Sequence, residues 1–134
     1  MNNRELLANI SEYVKDEAQD SRYYAALAEK APTERAKNLI LDMSKDEQRH
    51  AQSLAMVYFD ITHKKLPTPV TTTPVIGDFN DAVKERIIAE TKDYKKYGMK
   101  YLAVPDEALK ELFFMIRTDE AIHAMRMPIL LNGG

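Results

Sequence analysis

The chain contains no cysteine, which removes disulfides, thiol nucleophiles, iron–sulfur clusters and cysteine-ligated zinc together. Any metal or redox chemistry must therefore rest on oxygen and nitrogen ligands. Tryptophan is also absent, and the seven methionines read as core filler rather than as ligands. Only four glycines and six prolines occur in 134 residues. The prolines cluster outside the periodic segments, at 32, 67, 69, 74 and 105, which favours long uninterrupted helices over a many-stranded sheet. No run of about 18 apolar residues is available to cross a bilayer, and no signal peptide opens the chain, so the expected location is the cytoplasm and no membrane partner is expected. Charge of one sign is not in excess either: 19 basic residues against 21 acidic ones leave a formal charge of -2, so no nucleic-acid partner is expected. A chain of this length buries one sizeable core, and residues 1–134 are read as a single domain.

What is present is a repeated motif. Asp46-Glu47-Gln48-Arg49-His50 returns as Asp119-Glu120-Ala121-Ile122-His123, a shift of 73 residues. The spacing puts a carboxylate and an imidazole on one helix face, three residues apart. The same shift pairs Glu17 with Glu90, Asp20 with Asp93, Tyr24 with Tyr97, Pro32 with Pro105, Glu34 with Glu107, Lys37 with Lys110, Leu39 with Leu112 and Ala51 with Ala124. Residues 17–51 thus carry eleven identities, where ordinary residue frequencies give about two. The chain is one duplicated helical hairpin.

Hairpin one covers about residues 3–62. Leu6, Ile10, Tyr13, Glu17, Tyr24 and Leu27 recur at helical spacing up to about Ala31. After the break at Pro32, Thr33 is the expected N-cap of a helix running to about Thr62, with Ala36, Leu39, Ile40, Met43, Glu47, His50, Leu54, Val57 and Ile61 inward. Residues 63–78 hold Pro67, Pro69 and Pro74 among threonines, an extended crossover. Its reach of about 45 Å lets the third helix start at either end of the first pair. Hairpin two covers about residues 79–131. Asp78 caps its first helix, with Val83, Ile87, Glu90, Tyr94, Tyr97 and Tyr101 inward to about Val104. After Pro105-Asp106, Leu109, Leu112, Ile116, Glu120, His123 and Met127 face inward to about Leu131.

Glu17 and Glu47 each lie 15 residues from Pro32, and Glu90 and Glu120 flank Pro105 identically. At 1.5 Å per residue all four carboxylates stand about 22 Å from their turns, level with one another across two antiparallel hairpins, for which an up-down-down-up order is the expectation. Buried together and unpaired, they would each cost several kcal/mol. Two divalent cations would balance four carboxylates, with His50 and His123 neutral. Such ligands suit iron or manganese, with zinc possible.

One Glu from each of two helices and one Glu-x-x-His from each of the other two is the ligand set of di-iron carboxylate bundles. On Glu17, Glu47, His50, Glu90, Glu120 and His123 the chain resembles the ferritin-like superfamily, nearest its rubrerythrin and bacterioferritin branches. The resemblance implies an all-α, ferritin-like four-helix bundle and two iron ions per chain. Glu17 and Glu90 would be terminal ligands, Glu47 and Glu120 would bridge, and each histidine would bind one metal. It further implies an oxidoreductase that reduces hydrogen peroxide or O2 as ferrous iron is oxidised, a peroxidase or ferroxidase. The alternative is a metal-binding or structural bundle without turnover. Two departures bear on this. Rubrerythrins usually append a cysteine-rich rubredoxin module; with no cysteine here, an external electron donor is required. They also often carry a glutamate where this chain has Asp93, and both histidines are present, as in bacterioferritin. The chain ends without the short fifth helix that helps build ferritin shells, so a storage cage is not expected; a homodimer is the default.

Around the ligands, Asp46 and Asp119 are expected to accept the free ring N–H of a histidine on the facing helix. Tyr24 and Tyr97, two turns after Glu17 and Glu90, are candidate catalytic residues, through a hydrogen bond to a ligand carboxylate or as an electron source. Asp20 and Asp93 are read as outer neighbours of the ligands or as solvent-facing. His63 and the lysines at 92, 95, 96 and 100 read as exposed. Phe113, Phe114 and Met115 are candidates to line a pocket for an organic substrate.

Overall fold

The four periodic segments become four helices. In the computed structural model, which describes residues 2–133, α1 spans Asn3–Ala28, α2 Glu34–Thr62, α3 Phe79–Ala103 and α4 Glu107–Arg126, and a 3₁₀ segment follows over Met127–Gly133. No strand occurs among the described residues. Each helix start is fixed by a side chain that accepts a backbone N–H otherwise unsatisfied in the first turn. Asn2 accepts from Glu5, Thr33 from Ala36, Asp78 from Asp81 and Asp106 from Leu109, at 2.9–3.1 Å.

Two helix ends differ from the sequence expectation, both because of proline. α1 stops at Ala28 rather than Ala31: the N–H groups of Glu29, Lys30 and Ala31 turn to Ala26, Leu27 and Ala28, since the residue before Pro32 is steered away from helical backbone. α4 stops at Arg126 rather than near Leu131, because Pro128 has no N–H for the carbonyl of Ala124 and its ring crowds it. His63 closes α2 with left-handed backbone (φ 58°) and donates its N–H to the Phe59 carbonyl; its imidazole is exposed.

The crossover lies along hairpin one. Gln19 donates to the Thr72 carbonyl and accepts from the Thr72 N–H, at 2.8 and 3.0 Å, and Arg22 donates to Thr73 Oγ1 at 2.8 Å. The chain is thereby carried back to the α1–α2 turn before α3 begins. Ala82 and Val83 of α3 pack with Tyr24, Leu27, Ala28 and Ala36, while Val104 and Leu109 at the opposite end pack with Ile10, Tyr13 and Leu54. α3 therefore runs parallel to α2 and antiparallel to α1, the up-down-down-up order.

These two apolar clusters fill the two ends of the bundle, and a polar layer lies between them. Full burial of each large side chain, such as Ile40 or Leu54, contributes about 1.5–3 kcal/mol. Two residues expected inside face out. Tyr94 is 37% exposed, because the inner side of α3 passes from Glu90 through half-buried Asp93 to Tyr97; its ring lies 4.8 Å from the Arg117 guanidinium. Ile61 occupies the last turn of α2, where the bundle end opens. Phe113 is core, stacked on Tyr97 with centroids 6.0 Å apart, whereas Phe114 and Met115 are exposed. The three do not line a common pocket. No helix among the described residues is long and apolar enough to cross a membrane.

Candidate metal centre

Glu17 on α1, Glu47 and His50 on α2, Glu90 on α3, and Glu120 and His123 on α4 meet in the polar layer. All four carboxylates are 0% exposed. Their ligand atoms fall into two overlapping groups, Glu17–Glu47–His50–Glu120 and Glu47–Glu90–Glu120–His123, each gathered within 4.8 Å. Glu47 and Glu120 are shared, the placement required of groups that bridge two cations. His50 Nδ1 lies 2.8 Å from Glu17, 3.5 Å from Glu47 and 3.6 Å from Glu120. His123 Nδ1 lies 3.4 Å from Glu47 and 3.6 Å from both Glu90 and Glu120.

The opposite ring nitrogens fix both imidazoles. His50 Nε2 pairs with Asp119 at 2.7 Å, and His123 Nε2 with Asp46 at 2.8 Å. Each aspartate thus serves the histidine of the other hairpin, and each Nδ1 faces the carboxylates. Arg49 Nη2 donates to Asp46 at 2.9 Å and to Asp119 at 3.2 Å, tying the two together. Burial pushes the His123 pKa down, but the bond to Asp46 and the nearby Glu90 outweigh it and raise the pKa from 6.5 to about 9. His50 is raised in the same way: burial opposes, and Asp119 and Glu17 prevail.

The donor set fits cations. Both oxygens of Glu47 and of Glu120, Oε2 of Glu17 and of Glu90, and Nδ1 of His123 are buried with no hydrogen-bond partner. Each orphaned polar atom costs about 1–3 kcal/mol. Burial, then the neighbouring carboxylates, pushes Glu47 and Glu120 well above the usual carboxylate range, and burial raises Glu17. Bound cations would relieve both penalties at once. Carboxylate oxygens with imidazole nitrogens suit iron, manganese or zinc.

The tyrosines are fully buried but not equivalent. Tyr24 donates to Glu90 Oε1 at 2.5 Å and accepts from Arg86 Nε at 3.2 Å. Burial first, then Glu90, holds its phenol well above the ordinary range, so it is a neutral donor. Tyr97 points a hydroxyl with no partner into the same layer. Asp20 and Asp93 are half-buried between α1 and α3, and an oxygen from each joins one of Glu17 within 4.8 Å. Arg86 lies 3.4 Å from Asp20 and 3.6 Å from Glu90. Lys96 lies 3.5 Å from Asp93 and 4.7 Å from the Tyr13 and Tyr97 rings. It therefore belongs to the edge of the centre, unlike the solvated lysine expected from the sequence.

Arg86, and the bridging role of Arg49, were not foreseen in the sequence. A signal existed for Arg86: the 73-residue shift equates Tyr13 with Arg86 and Tyr23 with Lys96. Lys96 stands over Tyr13 and Arg86 over Tyr23, at 4.7 and 5.2 Å. The repeat thus preserves a cation–tyrosine pair while exchanging which position supplies the cation.

Residues 9–131 match the protein-family model described as Rubrerythrin. Among solved structures the chain is similar to a hypothetical protein from Pyrococcus furiosus, with a TM-score of 0.79, 21% identity, and coverage of 90% of this chain and 84% of that one. At that identity the likeness speaks for the fold. No curated protein matches the chain.

Proposed function

This chain belongs to the rubrerythrin family, and from that premise we propose that it is a non-haem di-iron oxidoreductase that reduces hydrogen peroxide or O2. The observation that carries the reading is the pair of overlapping ligand groups, with Glu47 and Glu120 common to both and buried oxygens lacking any partner. Four carboxylates and two neutral imidazoles balance two divalent ions. When bound, two ferrous ions supply one electron each, enough to cleave the O–O bond of one peroxide and, with two protons, form two waters.

The protein's own groups set the conditions. Asp46 and Asp119 hold the imidazoles so that Nδ1 is directed at the carboxylates. Tyr24 presents a neutral phenol to Glu90 and steadies a carboxylate whose charge environment changes during turnover. Complete burial of the ligands suits an oxidant of two heavy atoms. With no cysteine in the chain, electrons return from an external donor.

Anaerobic ferrous titration of the metal-free protein, followed by peroxide and then by a reductant, tests the proposal. Saturation at two irons per chain and reversible bleaching of the near-ultraviolet ferric absorption are expected. Binding without oxidation would leave a metal-stapled bundle, and binding of fewer than two ions would remove the dinuclear reading.

A further inference from the structure

The large apolar side chains left exposed are not spread evenly over the bundle. None lies on α1, and those of α2, Met56, Phe59 and Ile61, sit in its last two turns. Over half lie on the second hairpin, where α3 contributes Tyr94, Met99 and Leu102 and α4 contributes Phe114, Met115 and Met125, all 37–72% exposed. Aromatic, methionine and arginine side chains are the ones enriched in the buried core of a protein interface.

Two adjoining hollows of about 300 and 280 Å³ lie along the groove between α3 and α4, and Tyr101 and Phe114 line both. Their charges are opposite in sign. The first holds Lys95 and Arg117 and no carboxylate; the second holds Glu107 and Glu111, with Lys110 committed to the Tyr101 carbonyl at 2.9 Å. Arg117 lies against Gly98, its guanidinium 4.8 Å from the Tyr94 ring centre and 5.3 Å from that of Phe114, and its Nε is buried with no hydrogen-bond partner. Among the described residues, none of Lys95, Arg117, Glu107 and Glu111 takes part in an ion pair. A guanidinium held between two rings with its charge unmatched has the form of an interface anchor.

We propose that this face docks a second copy of the chain, in an isologous pair whose two-fold axis passes through Phe114. A face that is positive on one side of Phe114 and negative on the other is complementary to itself, and the two-fold lays the positive hollow of each copy on the negative hollow of the other. Helix geometry fixes the match. Glu111 and Arg117 stand three residues before and after Phe114, so they lie about 4.5 Å to either side along α4 and about 60° to either side around it. Rotation by 180° about an axis through Phe114 therefore brings Arg117 opposite the partner's Glu111, and the contact occurs twice. Within one chain the two stand about 9 Å apart along the helix and do not pair. The inference is independent of the metal centre.

Sedimentation velocity of the full chain as purified tests the proposal. At about 100 μM, well above a micromolar Kd, the natural sequence should sediment as a dimer. Arg117→Glu and Glu111→Arg each oppose like charges at both contacts, and each should raise the dimer dissociation constant at least ~10-fold. Mixed one to one, the two variants should dimerise again, because in the mixed pair both contacts regain opposite charges. A contact elsewhere on the surface would show no such rescue. A natural-sequence monomer at that concentration overturns the proposal and leaves the face to a partner of other chemistry. A dimer indifferent to both substitutions, or variants that stay monomeric when mixed, overturns it by removing the Arg117–Glu111 pairing. If Arg117→Glu does not fold, Glu111→Arg decides alone, since Glu111 is exposed: an unchanged dissociation constant overturns the pairing.

Discussion

Each side of the buried carboxylate–imidazole layer is built from a pair of positions that the internal repeat makes equivalent, Asp46 with Asp119 on one and Asp20 with Asp93 on the other, yet the two sides end in different states. On the α2/α4 side, Asp46 and Asp119 each hold an imidazole at 2.7–2.8 Å, and one arginine binds both. On the α1/α3 side, Asp20 and Asp93 have ion pairs at 3.4–3.5 Å with two separate cations. The difference lies in the positions where the repeat is broken. Arg49 is opposite Ile122 in the repeat, and a single guanidinium near the pseudo-two-fold axis reaches both aspartates, so a second copy would add only repulsion. Duplication fixes which carboxylates arrive; unrepeated cations decide how each pair is held.

The largest effect should come from the groups common to both sides. Glu47→Ala, which removes a shared ligand, should abolish two-iron binding and lower turnover by ~100-fold or more, measured by iron stoichiometry and peroxide consumption. His123→Ala should do the same through one ion. Normal turnover in both variants would mean that the centre does not perform the chemistry.

Next, the contrast between the sides predicts unequal equilibrium effects. Asp119→Asn should weaken metal affinity by ~10–100-fold, because His50 loses the group that orients it. Asp20→Asn should leave the affinity for the two ions of the centre nearly unchanged, as judged by competition with a chelator. Equal losses in both variants would erase the distinction.

The pH dependence of the metal-free protein has a fixed sign. Protonated His123, paired with Asp46, stabilises the fold fully below its unfolded value of 6.5, and the contribution is lost as pH rises through about 9. Glu17, Glu47 and Glu120 are raised by burial, so the folded state keeps protons that the unfolded chain releases above its value of 4.5. Both effects lower stability as pH rises. Thermal melts should therefore show the metal-free protein more stable at pH 6 than at pH 9. Divalent metal needs deprotonated carboxylates, so the stabilisation it adds should grow over the same interval.

The smallest effect separates the tyrosines. Tyr24→Phe removes a buried bond to Glu90 and should cost about 1–2 kcal/mol in denaturant unfolding of the metal-free protein. Tyr97→Phe removes a hydroxyl with no partner and should stay within about 0.5 kcal/mol. A reversed order would place the working phenol on the Tyr97 side.

That Glu17, Glu47, His50, Glu90, Glu120 and His123 gather in one buried layer was legible in the sequence because three signals agree on them: the Glu-x-x-His spacing, the 73-residue repeat and the equal distance of each glutamate from a turn proline. The caps Thr33 and Asp78 were legible from the chemistry of helix starts. Other features depended on what lies across the bundle. That Asp46 meets His123, on the other hairpin, follows from α2 facing α4 in register. The fate of Lys96 was misread because lysine at that spacing is usually solvated; here the rings of Tyr13 and Tyr97 and the carboxylate of Asp93 hold its stem and charge. Tyr94 was misplaced because helical periodicity alone does not distinguish it from Asp93 as the residue that faces Glu17.

The sequence by itself determined the four helices, the pairing within each hairpin and the level of the carboxylates. These depend on local quantities: side-chain period, cap chemistry and a fixed rise per residue. Only the tertiary structure decided which end of the first hairpin the crossover returns to, that Arg49 ties Asp46 to Asp119 on one side of the polar layer, and that Glu17, Asp20 and Asp93 meet on the other. Those outcomes depend on how far side chains reach between helices distant in sequence, and the energy of a charge is set by its neighbours in space rather than by its neighbours in the chain.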